Sequence, residues 1–323
     1  MWIERSFKCL NNNRKTSSVQ EMISENVHKK GKGFSFENIV PILLFITAAI
    51  SILTTIGIVL TLIFETFIFF NTVSIKEFLT ADKWYPFSAT NASYGIMPLV
   101  SGTLKVTAIA VLVAVPIGIA TSIYLSEYAT ERSRRIIKPI LEVLAGIPTI
   151  VYGYFALTFV TPLLRDIIPG LEIFNALSPG LVIGIMITPM IASLSEDAMS
   201  SVPMAMREGA LALGATKFEV AIKVVLPAAI SGIIASIVLA ISRAIGETMI
   251  VAVAGGSTPN LSWDVTGSIQ TMTAYIVQVS QGDAGYGTTI YYSIYAVGMT
   301  LFLFTLVMNF IAQFVSRRFR EEY

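Results

Sequence analysis

SEDAMSSVPMAMREGALALGATKFEVAIKVVLP, residues 195–227, is a polar, punctuated segment set between two apolar runs, 176–194 and 228–254. It is too long for a simple turn and carries helix signals of its own. Pro203 suits a first-turn position, and Gly214 suits the residue just past a helix end. Thr216 and Glu219 then form a T-x-x-E capping box opening a second helix, through Val220, Val224 and Val225 toward Pro227. The segment therefore predicts a short helix, a sharp glycine turn and a second helix leading into the next apolar run.

Four more apolar runs lie outside this region, at 39–70, 99–124, 139–164 and 289–314, making six. The chain has 323 residues, 54% hydrophobic and 13% charged, with mean hydropathy +0.72. A soluble domain carries about 25% charged residues. In hydrocarbon every backbone polar group must be paired within its own segment, so long apolar runs become helices. The fold class expected is an all-α membrane bundle of six spans. The run 39–70 far exceeds the roughly 7–15 apolar residues of a signal-peptide core and reads as a span. A net charge of +1 points to no particular partner, and nucleic acid is not expected. Cys9 is the only cysteine and His28, in a polar tail, the only histidine, so neither a disulfide framework nor a transition-metal site is expected.

Orientation follows from Lys and Arg in the connections. The amino-terminal tail has Arg5, Lys8, Arg14, Lys15, Lys29, Lys30 and Lys32. Arg132, Arg134, Arg135 and Lys138 join the second and third runs; Arg207, Lys217 and Lys223 join the fourth and fifth; Arg317, Arg318 and Arg320 end the chain. Against these seventeen the other side offers three: Lys76, Lys83 and Arg165. Both termini are expected in the cytoplasm, which six spans require. The outward loops hold Trp84, Tyr85 and Tyr94, suited to an interfacial aromatic belt, and a Gly/Ser/Thr-rich stretch at 255–288.

One span contains a charged pair. Arg243–Ala244–Ile245–Gly246–Glu247–Thr248 sits in the run 228–254, with Arg243 roughly 24 Å beyond Pro227 along the helix, past the midplane of a core about 30 Å thick. A charge at that depth costs at least about 2.5–3.5 kcal/mol and normally faces a cavity or a partner. Four residues apart, Arg243 and Glu247 would share a helix face. Two readings follow: an internal ion pair that helps pack the bundle, or a substrate-facing guanidinium that binds oxyanions bidentately. In the second, Glu247 holds the arginine when substrate is absent and accepts a bond from the proton that phosphate retains and sulfate lacks. Structural roles are expected for Glu65 and Lys105 near outer span ends, the lysine snorkelling to water, and for Glu142 beside the basic cluster 132–138. No G-x-x-x-x-G-K-[ST] phosphate loop occurs, so this chain is not itself an ATPase.

The 207–227 loop resembles the EAA loop of binding-protein-dependent ABC importers: E-A-A, three residues, G, nine residues, I-x-L-P. Glu208, Gly209 and Ala210 stand for the first three, followed by Gly214, Val224, Leu226 and Pro227, with Gly209 replacing the usual Ala and Val224 the usual Ile. Together with VPIGIATSIYLSEYA (115–129), LAGIPTIVYGYFAL (144–157), GIMITPMIASLSEDAM (184–199), RAIGETM (243–249) and MTAYIVQVSQGD (272–283), the chain is similar to permeases of bacterial phosphate ABC importers, of the PstC type, over roughly 95–323. The resemblance implies a MetI-like permease domain at 95–316 with a coupling loop at 195–227. Before it come a polar tail (1–38) and a first span with its outward loop (39–94); a short basic tail follows (317–323). It implies a second homologous permease (PstA type), an ATPase dimer (PstB type), an extracytoplasmic phosphate-binding protein (PstS type), phosphate and lipid as partners. ATP would be used by the partner, with no cofactor on this chain. Arg207, Glu208, Gly209, Ala210, Leu213 and Gly214 would receive the ATPase motion, and Arg243, Glu247 and Thr248 would lie on the substrate path. Pro116, Gly146, Pro148, Pro179 and Pro189 would let helices kink beside it.

Other functions fit less of the chain. A secondary transporter would use paired broken spans in two halves, which the sequence lacks. A membrane hydrolase needs a nucleophile–base constellation that is not present. A permease for another oxyanion, molybdate or sulfate, would share the loop and the arginine.

Overall fold

The computed structural model describes residues 36–88, 90–282 and 284–318. Cys9, His28 and the seven basic residues of the tail lie outside the described residues, as do 319–323. The chain divides into two compact units, Met1–Leu60 and Thr61–Tyr323. Among the described residues five helices are long and apolar enough to cross a membrane, or six if one bent pair counts as a span.

Helix α1, Phe36–Thr72, is a single apolar rod whose residues within the first unit are exposed at nearly every position. An apolar surface of that extent is what lipid solvates. Within the second unit the last turns of α1 are followed by helix α2, Ile75–Thr80, capped by Ser74, whose Oγ accepts from the Glu77 amide at 3.1 Å. A minimal antiparallel ladder follows, β1 (Trp84–Tyr85) with β2 (Ser93–Tyr94), pairing Trp84 with Tyr94 and Tyr85 with Ser93. Trp84 and Tyr94 are thereby buried rather than forming the expected interfacial belt; Tyr85 alone is exposed. The Trp84 ring meets Tyr275 edge-on at 4.9 Å and Tyr94 at 5.9 Å, and Phe69 and Phe78 complete the cluster.

Helix α3, Met97–Ile123, continues into a π-helical turn at Tyr124–Tyr128, closed by the Ala129 amide bonding the Tyr124 carbonyl at 2.8 Å. The run expected to span at 139–164 is divided. Residues Glu131–Gly146 form a separate helix, α4, strongly amphipathic and without a buried residue; the span itself is Thr149–Ile167. The cause is Gly146–Ile147–Pro148, where Pro148 forces Ile147 into extended backbone and stops α4. The span comprises α5 (Thr149–Phe155), a π turn (Ala156–Val160) and α6 (Thr161–Ile167).

Helix α7, Leu177–Ser200, is the most buried span and packs most extensively against α3. Glycines one turn apart make the approach possible: a Cβ on Gly180 would stand 2.8 Å from Ile109, and one on Gly184 2.9 Å from Val113. Small residues at i and i+4 let the partner's β-branched side chains reach the helix backbone, the usual device where hydrophobicity cannot drive association.

After α7 come α8 (Met204–Ala212), α9 (Lys217–Val220), a π turn (Ala221–Val225) and α10 (Leu226–Ala228), as the punctuation predicted. Gly214 has φ +87°, and the Thr216–Glu219 capping box is formed in both directions. Pro203 is the cap itself rather than a first-turn residue. The chain then bends 73° into α11, Ile230–Ile245. Helix α11 does not continue through 254 as expected. It ends at Gly246, and a short helix, α12 (Met249–Ala254), follows. Helices α13 (Met272–Gln281) and α14 (Thr289–Arg318) complete the described fold.

Candidate functional site

The break at 246–248 rearranges the charged pair. Arg243 lies in the last turn of α11 and is exposed, whereas Glu247 is buried at 4% exposure. Beyond the end of α11 the two no longer share a helix face. Among the described residues Arg243 makes no ion pair or hydrogen bond. The Glu247 carboxylate instead turns onto the start of α12, accepting from the amides of Met249 at 3.1 Å and Ile250 at 3.4 Å. Those amides have no partner within the helix, so the carboxylate meets a real need there. The self-neutralising pair expected as one alternative is not formed.

Glu247 is also held through its backbone. Thr273 Oγ1 donates to its carbonyl at 2.8 Å, and Thr273 in turn lies 3.0 Å from the Oγ1 of Thr271. Thr271 caps α13 through the Ala274 amide, and the Met272 amide donates to Thr103 Oγ1 of α3 at 3.1 Å. A chain of buried hydroxyls thus ties the break to α13 and α3. Thr248, half-buried, bonds only locally, to the Gly246 carbonyl at 3.1 Å. The signal for this arrangement was Gly246 directly after Ile245, a helix-stop residue lost to view inside an apolar run.

Lys105 does not snorkel to water. It is 4% exposed and its Nζ donates to the Asn260 carbonyl at 3.3 Å, so the 255–271 loop lies over it. Near this loop opens a cavity of about 900 Å³, bounded by Trp84, Tyr85 and Phe87, by Ser257 and Thr258, and by the bonded amides of Gln270 and Gln278. Both glutamines belong to the Gly/Ser/Thr-rich stretch 255–288, where two amides beside apolar residues were the available clue.

On the opposite face the basic residues of α4 find partners other than Glu142. Lys138 Nζ lies 2.5 Å from the buried Glu196 of α7, and Arg134 reaches the same carboxylate at 4.0 Å. On α8, Arg207 pairs with Glu127 at 3.3 Å and donates to the Met199 carbonyl at 2.7 Å. Glu208 and Gly209 are exposed, Ala210 is half-buried, and Leu213 is 91% exposed. With Met204, Leu211 and Phe218, Leu213 leaves an apolar surface on a segment otherwise set in polar sequence.

The described residues thus form a helical membrane bundle with an exposed, unpaired arginine at a broken span and a helix–turn–helix loop between spans. The chain matches the family described as "Binding-protein-dependent transport system inner membrane component" over residues 114–321 and belongs to it. It is an ABC-importer permease of the MetI-like type, a multi-pass membrane subunit. It is 33% identical to the "Probable ABC transporter permease protein YqgH" of Bacillus subtilis, with 77% of this chain and 80% of that protein aligned. It is also 33% identical to the "Phosphate transport system permease protein PstC" of Mesorhizobium japonicum (75% and 78%). In fold it resembles a chain of a bacterial ABC transporter importing alginate, with TM-score 0.62 at 16% identity over 86% of this chain and 96% of that one. The MetNI methionine transporter gives TM-score 0.52 at 18% identity over 70% and 95%.

Proposed function

We propose that this chain is one half of the membrane channel of an ATP-driven importer that carries inorganic phosphate into the cytoplasm. The observation that carries the reading is the free guanidinium of Arg243. An exposed cation in a membrane helix, with the Glu247 carboxylate engaged elsewhere, is available to an anion. Arginine stays charged at physiological pH and matches an oxyanion bidentately. Phosphate is favoured among oxyanions by the names of the relatives, which are phosphate transport system permeases. Glu247 then acts as a fixed frame beside the path, with Thr248 at its edge.

The excess of Lys and Arg on one side supports a cytoplasmic position for both termini and the 195–227 loop. There the apolar face of Leu213, Phe218 and Met204 suits docking on a separate ATPase, and α8 passes its movement to α11 through the 73° bend. Relatives of this family support a second permease, an ATPase dimer and an extracytoplasmic binding protein as partners. The test is reconstitution of this chain with those partners in proteoliposomes. ATP-dependent phosphate uptake resisting excess sulfate is expected, with Arg243→Ala abolishing it; full uptake by that variant would refute the path.

A further inference from the structure

Helix α8 is joined to the bundle covalently at both ends, through residues 201–203 to α7 and through the 213–229 segment to α11. The side chains add an attachment to an element that neither connection reaches, the π turn of α3. Glu127, on the π turn that ends α3, lies 3.3 Å from Arg207 of α8, and each side chain is only 12% exposed. Arg207 spends its Nη2 twice, on Glu127 and on the Met199 carbonyl near the end of α7. One guanidinium therefore joins α8 to both helices of the most extensive packing interface in the molecule.

The π turn is itself gripped from the other side. A π turn displaces one residue from the regular ladder and leaves carbonyls poorly shared. Arg134 of α4 takes two of them, its Nε donating to Leu125 O at 2.8 Å and its Nη2 to Ser126 O at 3.1 Å. Arg134 and Lys138 also approach Glu196 of α7, while Leu125 is fully buried and Ser126 Oγ donates to the Glu127 carboxylate at 2.9 Å. Glu127 is thus presented by a segment fixed on its backbone by one arginine and read on its side chain by another. A merely solubilising surface pair has no such support and contributes little. Removing one member of a part-buried, hydrogen-bonded pair leaves the other charge stranded.

We propose that Glu127 is a positioning residue for energy coupling: through Arg207 it makes the π turn of α3 a route by which movement of α8 reaches the bundle, beside the covalent routes into α7 and through α10 into α11. This rests on the proposed contact of α8 with a motor subunit. Two arms separate the failure of one idea from the failure of the other. In the first, the purified chain carrying Glu127→Gln is compared with wild type by hydrogen–deuterium exchange. Exchange across 204–212 should quicken by about tenfold while the α7 core stays protected; unchanged exchange in α8 would overturn the attachment, whatever the substrate. In the second, the complete transporter is assayed for ATP hydrolysed per phosphate delivered, normalised to assembled complex. Glu127→Gln and Arg207→Gln should each raise that ratio about tenfold, and the exchange Glu127→Arg with Arg207→Glu should bring it back toward wild type. A wild-type ratio in both single variants would overturn the coupling role. A loss of assembly that the exchange does not repair would reduce the pair to a structural one. If the wild-type complex hydrolyses ATP without moving phosphate, the functional assignment falls, and the exchange arm still decides the attachment.

Discussion

Thr273 and Glu247, twenty-six positions apart in sequence, are joined by a hydrogen bond from the threonine hydroxyl to the glutamate carbonyl at 2.8 Å. Both residues are buried, so the bond fixes the end of α11 and the start of α12 against α13. Replacing Thr273 with Val keeps the shape and removes the donor, leaving a buried carbonyl unpaired. A loss of about 1–3 kcal/mol is expected, read as a lower unfolding temperature in detergent, with Thr273→Ser recovering most of it.

Arg243 tests what the free cation recognises. Arg243→Lys preserves the charge but loses the planar fork. Phosphate uptake by reconstituted transporter should fall by about tenfold, and sulfate should compete better, because a point charge distinguishes oxyanions less well. An unaltered phosphate-to-sulfate preference would show that the guanidinium geometry is not what selects.

The capping box of the loop provides a pH test. The Thr216 amide and hydroxyl, together with Lys223, hold the Glu219 carboxyl down to about 2 from its ordinary value of 4.5. A depressed acid contributes its stabilisation above the unfolded value and loses it as pH falls through the folded one. Protection of the 216–220 amides should therefore be constant above about pH 5 and fall progressively toward pH 2. In Glu219→Gln the protection should be lower at neutral pH and flat across this window. Amide exchange at stepped pH measures both.

Gly102 tests the outer face. A Cβ there would stand 2.3 Å from the Gln270 carbonyl oxygen, a contact that backbone cannot relieve without moving. Gly102→Ala should displace the strand of chain leading into α13 and lower thermal stability by about 1–3 kcal/mol, the usual cost of overpacking. Gly209→Ala, with open space around it, should instead stabilise α8 by about 0.5–1 kcal/mol.

Much of this architecture was legible because lipid imposes a coarse rule. Apolar length alone located the spans, and Pro203, Gly214, Thr216 and Glu219 marked the loop because caps and turns follow local chemistry. The two misjudged helix ends share an origin. At Gly146–Pro148 and at Gly246 the punctuation was present, but hydrophobicity ran on across it, and a window that averages apolarity cannot see a helix end inside an apolar run. Trp84 and Tyr94 were misplaced for the opposite reason: their burial depends on Tyr275 and Phe69, far away in sequence. Arg243 was found as a candidate, yet its freedom from Glu247 depended on a break that helical spacing assumes away.

That break also divides the site kinematically. An uninterrupted helix would carry Arg243 and Glu247 as one rigid rotor, so any turn of the rod would move both by the same angle. Here the arginine rides on α11, into which the loop leads, while the glutamate is anchored to α12, α13 and α3. The cation is the adjustable member and the carboxylate the bearing. If Arg243 meets the transported anion as proposed, substitutions meant to retune which anion passes belong on α11, where a change of register swings the guanidinium, and not on the residues that seat Glu247.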